Sequence, residues 1–327
     1  MKTKNVLTGY LLKLVCLISF VFFYACESRD ITPARDESPT AGKTAAVTSY
    51  TSGQKQHDFS SSAGGTRSYY LSVPENYDSE KKYRLVFVFA GTDTTGHEMQ
   101  QWMGQGWNSS TPGLEKLMDN TIFVYPDQEY TWDGDKGWAM GDYASPYQGS
   151  EDIQFTKELL NLIKSTYSID QNRIFATGHS WGGDMTNVTA YFLNGVFKAI
   201  APVASNRPFW FKNSNGNYVA NSNYHGNTTV WIFFGLGDDH FGNTSPNGLF
   251  GKEQADFWRL KNGTSNNPTS TSIGSGNDTT KTYSGGTADV KLTLYASGQY
   301  SGGGNSLLGH QPPDYYFKAV TDWFKSF

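Results

Sequence analysis

The sequence predicts an α/β protein with a mainly parallel central sheet wrapped by helices on both faces, and three observations carry that expectation. Four apolar runs of strand length, Tyr83 to Phe89, Thr121 to Tyr125, Phe197 to Ala204 and Thr229 to Phe234, lack the polar alternation of a half-exposed strand. Strands covered on both faces read this way. Segments of helical period separate them, the clearest passing through Ile153, Leu159, Leu160, Ile163 and Tyr167. Finally, Ile174-Phe175-Ala176-Thr177 runs into Gly178-His179-Ser180-Trp181-Gly182 and then a helix-compatible stretch, Asp184 to Leu193, which is a strand, a sharp turn and a helix in succession.

Along the chain, residues 1 to 26 read as a targeting segment, because Lys2, Lys4 and Lys13 precede an apolar run, Leu14 to Ala25, too short to span a bilayer. Its end, Ala25-Cys26, resembles a bacterial lipoprotein signal, which makes Cys26 the expected lipidation site and places the protein outside the cytoplasm. An ordinary cleaved signal peptide is the other reading. Residues 27 to 65 are rich in Ser, Thr, Ala and charge, and are expected to form a flexible tether. The folded domain is expected to run from 66 to 327. Ser68 to Pro74 is strand-like, and Ser150-Glu151-Asp152 opens a helix with acids at its positive end. A helix is expected at Lys252 to Lys261, a last strand at Val290 to Tyr295 and a closing amphipathic helix at Tyr315 to Phe327. Residues 263 to 288 are Ser, Thr, Gly and Asn rich without a period, and are expected to be a low-complexity surface insertion.

Composition narrows the function. A formal net charge of -4 offers no basic footprint for nucleic acid. The only two cysteines, Cys16 and Cys26, fall in the targeting segment, so the folded domain has no disulfide to rely on. Aromatic residues make up 15% of the chain, a surplus that suits a core and also suits recognition of sugar or aryl rings. Trp138, in a loop dense in aromatics, and Trp210, in Phe209-Trp210-Phe211, are the expected substrate-binding side chains.

Ser180 occupies the centre of a G-x-S-x-G turn, where glycines let strand and helix approach closely around an exposed hydroxyl. A serine needs a base to take its proton, and the base needs a third group to orient it. On a sheet of this kind the chain order is Ser, then acid, then His. His310, on the loop between the last strand and the closing helix, fits the base. Asp238 and Asp239, just beyond the strand at 229 to 234, both fit the acid, with Asp238 preferred. The oxyanion needs backbone donors. Trp181, after the nucleophile, is one, and the loop after Phe89 supplies another, Thr92 first and Gly91 second. The Trp181 indole is expected to border the acyl pocket. His57, His97 and His179 show no partner pattern.

Taken together, Arg67-Ser68-Tyr69-Tyr70-Leu71, Glu151-Asp152-Ile153-Gln154-Phe155, the block from Tyr167 to Met185 and Gly309-His310 resemble the carbohydrate-esterase family of feruloyl and acetylxylan esterases, related to polyhydroxybutyrate depolymerases. The resemblance implies an α/β-hydrolase fold and an exported serine esterase acting on feruloyl or acetyl esters of plant cell-wall polysaccharide. It implies Ser180, His310 and Asp238 as its triad and no cofactor or metal. Ala90-Gly91 stands where the family usually has His-Gly, and the disulfides common in its fungal members are missing; both departures loosen the substrate assignment. A polyester depolymerase and a non-catalytic carbohydrate-binding lipoprotein are the alternatives.

Overall fold

Residue Leu85 and the four that follow it, through Phe89, have no exposed surface, which is the burial that an unbroken apolar strand requires. The computed structural model describes residues 55–132, 134–140, 150–208, 224–275, 278–296 and 309–327. The targeting segment with Cys26, most of the expected tether and the Phe209-Trp210-Phe211 run lie outside the described residues. Ten strands form one sheet: β1 (Lys55–Ser61), β2 (Gly65–Ser72), β3 (Tyr83–Phe89), β4 (Thr121–Pro126), β5 (Ile169–His179), β6 (Ala199–Val203), β7 (Thr229–Gly235), β8 (Thr269–Ile273), β9 (Asp278–Tyr283) and β10 (Val290–Tyr295). Their spatial order is β1-β2-β4-β3-β5-β6-β7-β10-β9-β8. The six strands β4-β3-β5-β6-β7-β10 are parallel, and both ends of the sheet are antiparallel. Four long helices accompany it: α1 (Glu151–Thr166), α2 (Trp181–Phe192), α3 (Leu249–Asn262) and α4 (Tyr316–Lys325). No helix among the described residues is long and apolar enough to cross a membrane.

The chain steps from β3 to one neighbour, β4, and then crosses back to the other, β5. This reversal opens a crevice between the carboxyl ends of β3 and β5, the place where parallel sheets build their sites. Helix α2 starts in that crevice and is buried from Trp181 through Tyr191, packed on β3, β5 and β6. It begins at Trp181, three residues before the segment that helical pattern alone marks.

Two expectations need correction. The tether does not reach residue 65, because Lys55–Ser61 forms β1, paired antiparallel with β2. His57 stacks on Tyr69 at 5.1 Å and Phe59 packs near Phe155 at 6.0 Å. Two anchors in seven residues are too few to register as a period. Residues 263 to 288 are not a formless insertion either: β8 and β9 form a hairpin that extends the sheet from β10. Thr279, Thr280 and Thr282 supply β-branched strand formers, and Thr280 Oγ1 lies 2.6 Å from Thr293 Oγ1 on β10. The hairpin is mostly exposed on β8, so the sequence had no apolar face to show.

A buried ion pair joins Arg67 to Asp152, whose side chains are 3% and 1% exposed. Asp152 Oδ2 also accepts the Ala139 N–H, while Arg67 donates to the Asp127 carbonyl and lies over the Phe155 ring. Burial raises the Asp152 carboxyl, against the pull of Arg67. The pair thus ties β2, α1 and the loops after β4 and before α1 into one block. Replacing Asp152 with alanine strands a buried guanidinium, and a loss of about 3–5 kcal/mol in urea-unfolding free energy is expected.

Candidate active site

Ser180 takes φ 55° and ψ -122°, a conformation that L residues rarely adopt. It persists because its surroundings fix it: Ser180 N–H donates to the Val203 carbonyl at 3.0 Å, and its own carbonyl accepts the Asp184 N–H at 3.1 Å. Gly182 allows the turn to sit this deep, since a Cβ there would overlap the Phe89 carbonyl oxygen. The hydroxyl is thereby lifted at the tip of β5, at the mouth of a cavity of about 410 Å³.

His310 comes to the same cavity from the loop before α4. Its Nδ1 lies 2.8 Å from Asp238 Oδ2. A carboxylate facing a neutral imidazole accepts, so Nδ1 carries the proton and Nε2 keeps its lone pair. Asp238 is held in turn, for its Oδ1 accepts the backbone N–H groups of His240 at 3.1 Å and Phe241 at 3.2 Å. Asp239 does not reach the imidazole. Its Oδ1 accepts the His310 backbone N–H instead, at 3.1 Å. On the other side His179 Nε2 donates to the His310 carbonyl at 2.8 Å. Asp238 therefore holds the ring of His310, while Asp239 and His179 hold its backbone.

Burial, with His240 adjacent at 4.6 Å between centroids, pushes His310 down to about 3, so the ring is neutral near pH 7. Burial pushes Asp238 up to about 6, against the backbone N–H groups of Phe241 and His240 and the fields of His179 and His240. His179 is lowered to about 3, again by burial first. His179 therefore adds to the acid response of stability. Between pH 6.5 and 3 the unfolded chain binds a proton at this residue that the folded chain refuses, so stability falls as pH falls. The expected loss from this group is about 2 kcal/mol at pH 5, and His179→Gln should flatten the plot of urea midpoint against pH.

The remaining expected site residues are placed unevenly. Thr92 and Gly91 line the cavity, and Trp181 opens α2 directly after Ser180. The Trp181 indole, expected to border the acyl pocket, is not part of the cavity wall; it is 8% exposed and packs on Gly137, where a Cβ would overlap the ring. Trp138 is not a substrate-binding residue: it has no exposed surface, lies edge-on to Phe89 at 5.6 Å, and donates its Nε1–H to the Ala90 carbonyl at 2.8 Å. A tryptophan that does line the cavity is Trp102, packed edge-on against His179 at 4.8 Å. Neither Trp102 nor His179 carries a sequence signal, because each owes its place to tertiary contacts. Trp210 is outside the described residues.

A serine on a strained strand-to-helix turn, beside a His–Asp pair at the switch point of a parallel sheet, defines the α/β-hydrolase class. Residues 60–267 match the Esterase family model, which is more than half of the chain, and the protein belongs to that family. Among curated proteins it is 32% identical over 136 residues to a probable feruloyl esterase C of Aspergillus clavatus, covering 41% of this chain and 44% of that one. It is 28% identical over 145 residues to feruloyl esterase D of Neurospora crassa, covering 43% and 46%. The matched stretch spans less than half of each relative's length. Among solved structures an acetyl xylan esterase from Aspergillus awamori superposes with a TM-score of 0.60 at 17% identity, covering 83% of this chain and 99% of that one. A thermostable esterase gives 0.56 at 18% identity, covering 84% and 62%. Both likenesses show the shared fold.

Proposed function

We propose that this protein is an exported serine esterase that cleaves feruloyl or acetyl esters from plant cell-wall polysaccharide of the xylan type. The observation that carries this reading is the convergence of Ser180, in its strained turn, and the His310–Asp238 pair on one cavity. Ser180 Oγ attacks the ester carbonyl while His310 Nε2 takes its proton. Asp238 holds the tautomer and offsets the charge of the imidazolium that forms. The negative charge that develops on the carbonyl oxygen is met by the N–H groups of Trp181 and Thr92. His310 then gives the proton to the departing sugar hydroxyl, leaving the acyl group on Ser180. Water, deprotonated by the same imidazole, releases the acid and restores the serine.

The substrate class draws on the feruloyl esterase relatives and on the cavity wall. Trp102 offers a flat face suited to an aryl acid or a sugar ring, and Asp93, His240 and Gln311 give the rim polar groups. Residues 1 to 26 support export, with Cys26 as the lipidated residue. Purified protein incubated with feruloylated arabinoxylan and with acetylated xylan is expected to release ferulate or acetate, read by chromatography. Release of neither acid, together with no hydrolysis of small aryl esters, would overturn the assignment.

A further inference from the structure

We infer that Gln128 is a positioning residue that locks the oxyanion loop, by holding two successive carbonyls so that their N–H partners face Ser180; this rests on the esterase reading above. Gln128 lies two residues beyond β4, is 3% exposed, and is absent from the cavity wall. Its Nε2 donates to the Ala90 carbonyl at 2.8 Å and to the Gly91 carbonyl at 2.7 Å. Both neighbours are acceptors, so the amide has one workable orientation. Its Oε1, turned away from them, is buried with no hydrogen-bond partner among the described residues. A buried amide that leaves its acceptor unmet is placed for its donors.

The consequence follows from the planarity of the trans peptide, in which C=O and N–H point in opposite directions. Fixing the Ala90 carbonyl aims the Gly91 N–H, and fixing the Gly91 carbonyl aims the Thr92 N–H. The strand order gives the direction. β3, which ends at Phe89, lies between β4, whose loop carries Gln128, and β5, whose tip carries Ser180. Carbonyls drawn to the β4 side therefore send the N–H groups to the β5 side. The loop is close enough to serve: a Cβ built on Gly91 would lie 3.1 Å from the His179 carbonyl oxygen and 3.5 Å from Ser180 Cβ. Among the described residues the Thr92 N–H has no hydrogen-bond partner, which leaves it available to a substrate oxygen.

Other groups support the loop without doing this. Trp138 reaches the Ala90 carbonyl alone, and the backbone N–H of Thr94 closes a turn onto the Gly91 carbonyl at 3.2 Å. Asp93 is clipped to the hairpin of residues 130–137, its N–H donating to the Lys136 carbonyl and its Oδ1 accepting the Lys136 N–H. Gln128 is the one side chain among the described residues that bonds the carbonyl of the peptide carrying the Thr92 N–H. Without it that peptide is held only by the longer Thr94 bond, and a peptide that rotates turns an oxygen toward the developing oxyanion.

Gln128→Met keeps the length and removes both donors. On an aryl acetate or methyl ferulate, kcat is expected to fall about ten- to hundredfold with KM within about twofold. The affinity of an arylboronic acid, which forms a tetrahedral adduct on the serine, should fall by the same factor, while inhibition by the product acid stays unchanged. A loop that merely packs would move KM and the thermal midpoint together. Gln128→Glu gives an independent arm, because its carboxylate repels the two carbonyls while the neutral acid can donate one bond. Its activity relative to wild type should rise as pH falls. Wild-type kcat in Q128M, or equal losses in boronate and product affinity, overturns the lock. An inactive wild type sinks the esterase reading as well, so the two failures are distinguishable.

Discussion

Ser180→Ala keeps the fold and loses esterolytic turnover, with kcat/KM on aryl esters expected to fall by at least about 10⁴-fold. The loss is large because the hydroxyl is the group that forms the acyl bond in the proposed mechanism, and without it His310 has no serine proton to move. The residue left behind by wild-type catalysis is the oxyanion hole and the binding cavity, which sets the floor of activity. Stability should hardly change. The Ser180 side chain makes no capping bond to α2, and the backbone that holds its positive φ works through the Val203 carbonyl and the Asp184 N–H, which alanine leaves intact. Thermal midpoints within a degree or two, together with loss of labelling by a fluorophosphonate probe, check both halves. Undiminished turnover in S180A would sink the assignment of the nucleophile.

How far the site was legible depends on which physical signal each residue carries. The turn at Ser180 announces itself because a strained, exposed hydroxyl needs glycines at fixed offsets, and Gly178 and Gly182 mark them. His310 and Asp238 follow from chain order and from the strand ends that a parallel sheet provides. The choice between Asp238 and Asp239 does not follow, since neighbours in a turn differ only in direction; the structure turns the first to the imidazole and the second to the backbone of the same residue. His179, Trp102 and Gln128 are silent in the sequence. Each acts through contacts made across the fold, to the His310 carbonyl, to the His179 ring and to the Ala90 and Gly91 carbonyls. Trp138 misled for the complementary reason: an aromatic in a loop dense in aromatics reads as a surface platform until its Nε1–H finds a buried carbonyl. The same logic explains β1 and the hairpin of β8 and β9. Strands built from Ser, Thr and scattered aromatics have no period to read, and their pairing supplies what the pattern lacks.

Asp238→Asn is expected to cost about as much activity as loss of the base, about 10⁴-fold in kcat, although it changes one atom. The geometry gives the reason. Oδ1 of Asp238 accepts two backbone N–H groups, from His240 and Phe241, so an asparagine here must keep its carbonyl oxygen in that place. Its NH₂ group then faces His310 Nδ1, where the carboxylate Oδ2 stood at 2.8 Å. A donor at that position selects the tautomer with a lone pair on Nδ1 and a proton on Nε2, and a protonated Nε2 cannot accept from Ser180. Folding should not suffer, because burial already raises the Asp238 carboxyl to about 6 and a neutral amide avoids that desolvation. Asp239→Asn is the matching control. Its side-chain oxygen can still accept the His310 N–H, so a loss of no more than about tenfold is expected. Steady-state kinetics of the two variants against thermal midpoints separates the roles: a D238N enzyme within tenfold of wild type, or a D239N enzyme as crippled as D238N, would show that the imidazole is oriented by something other than the Asp238 carboxylate.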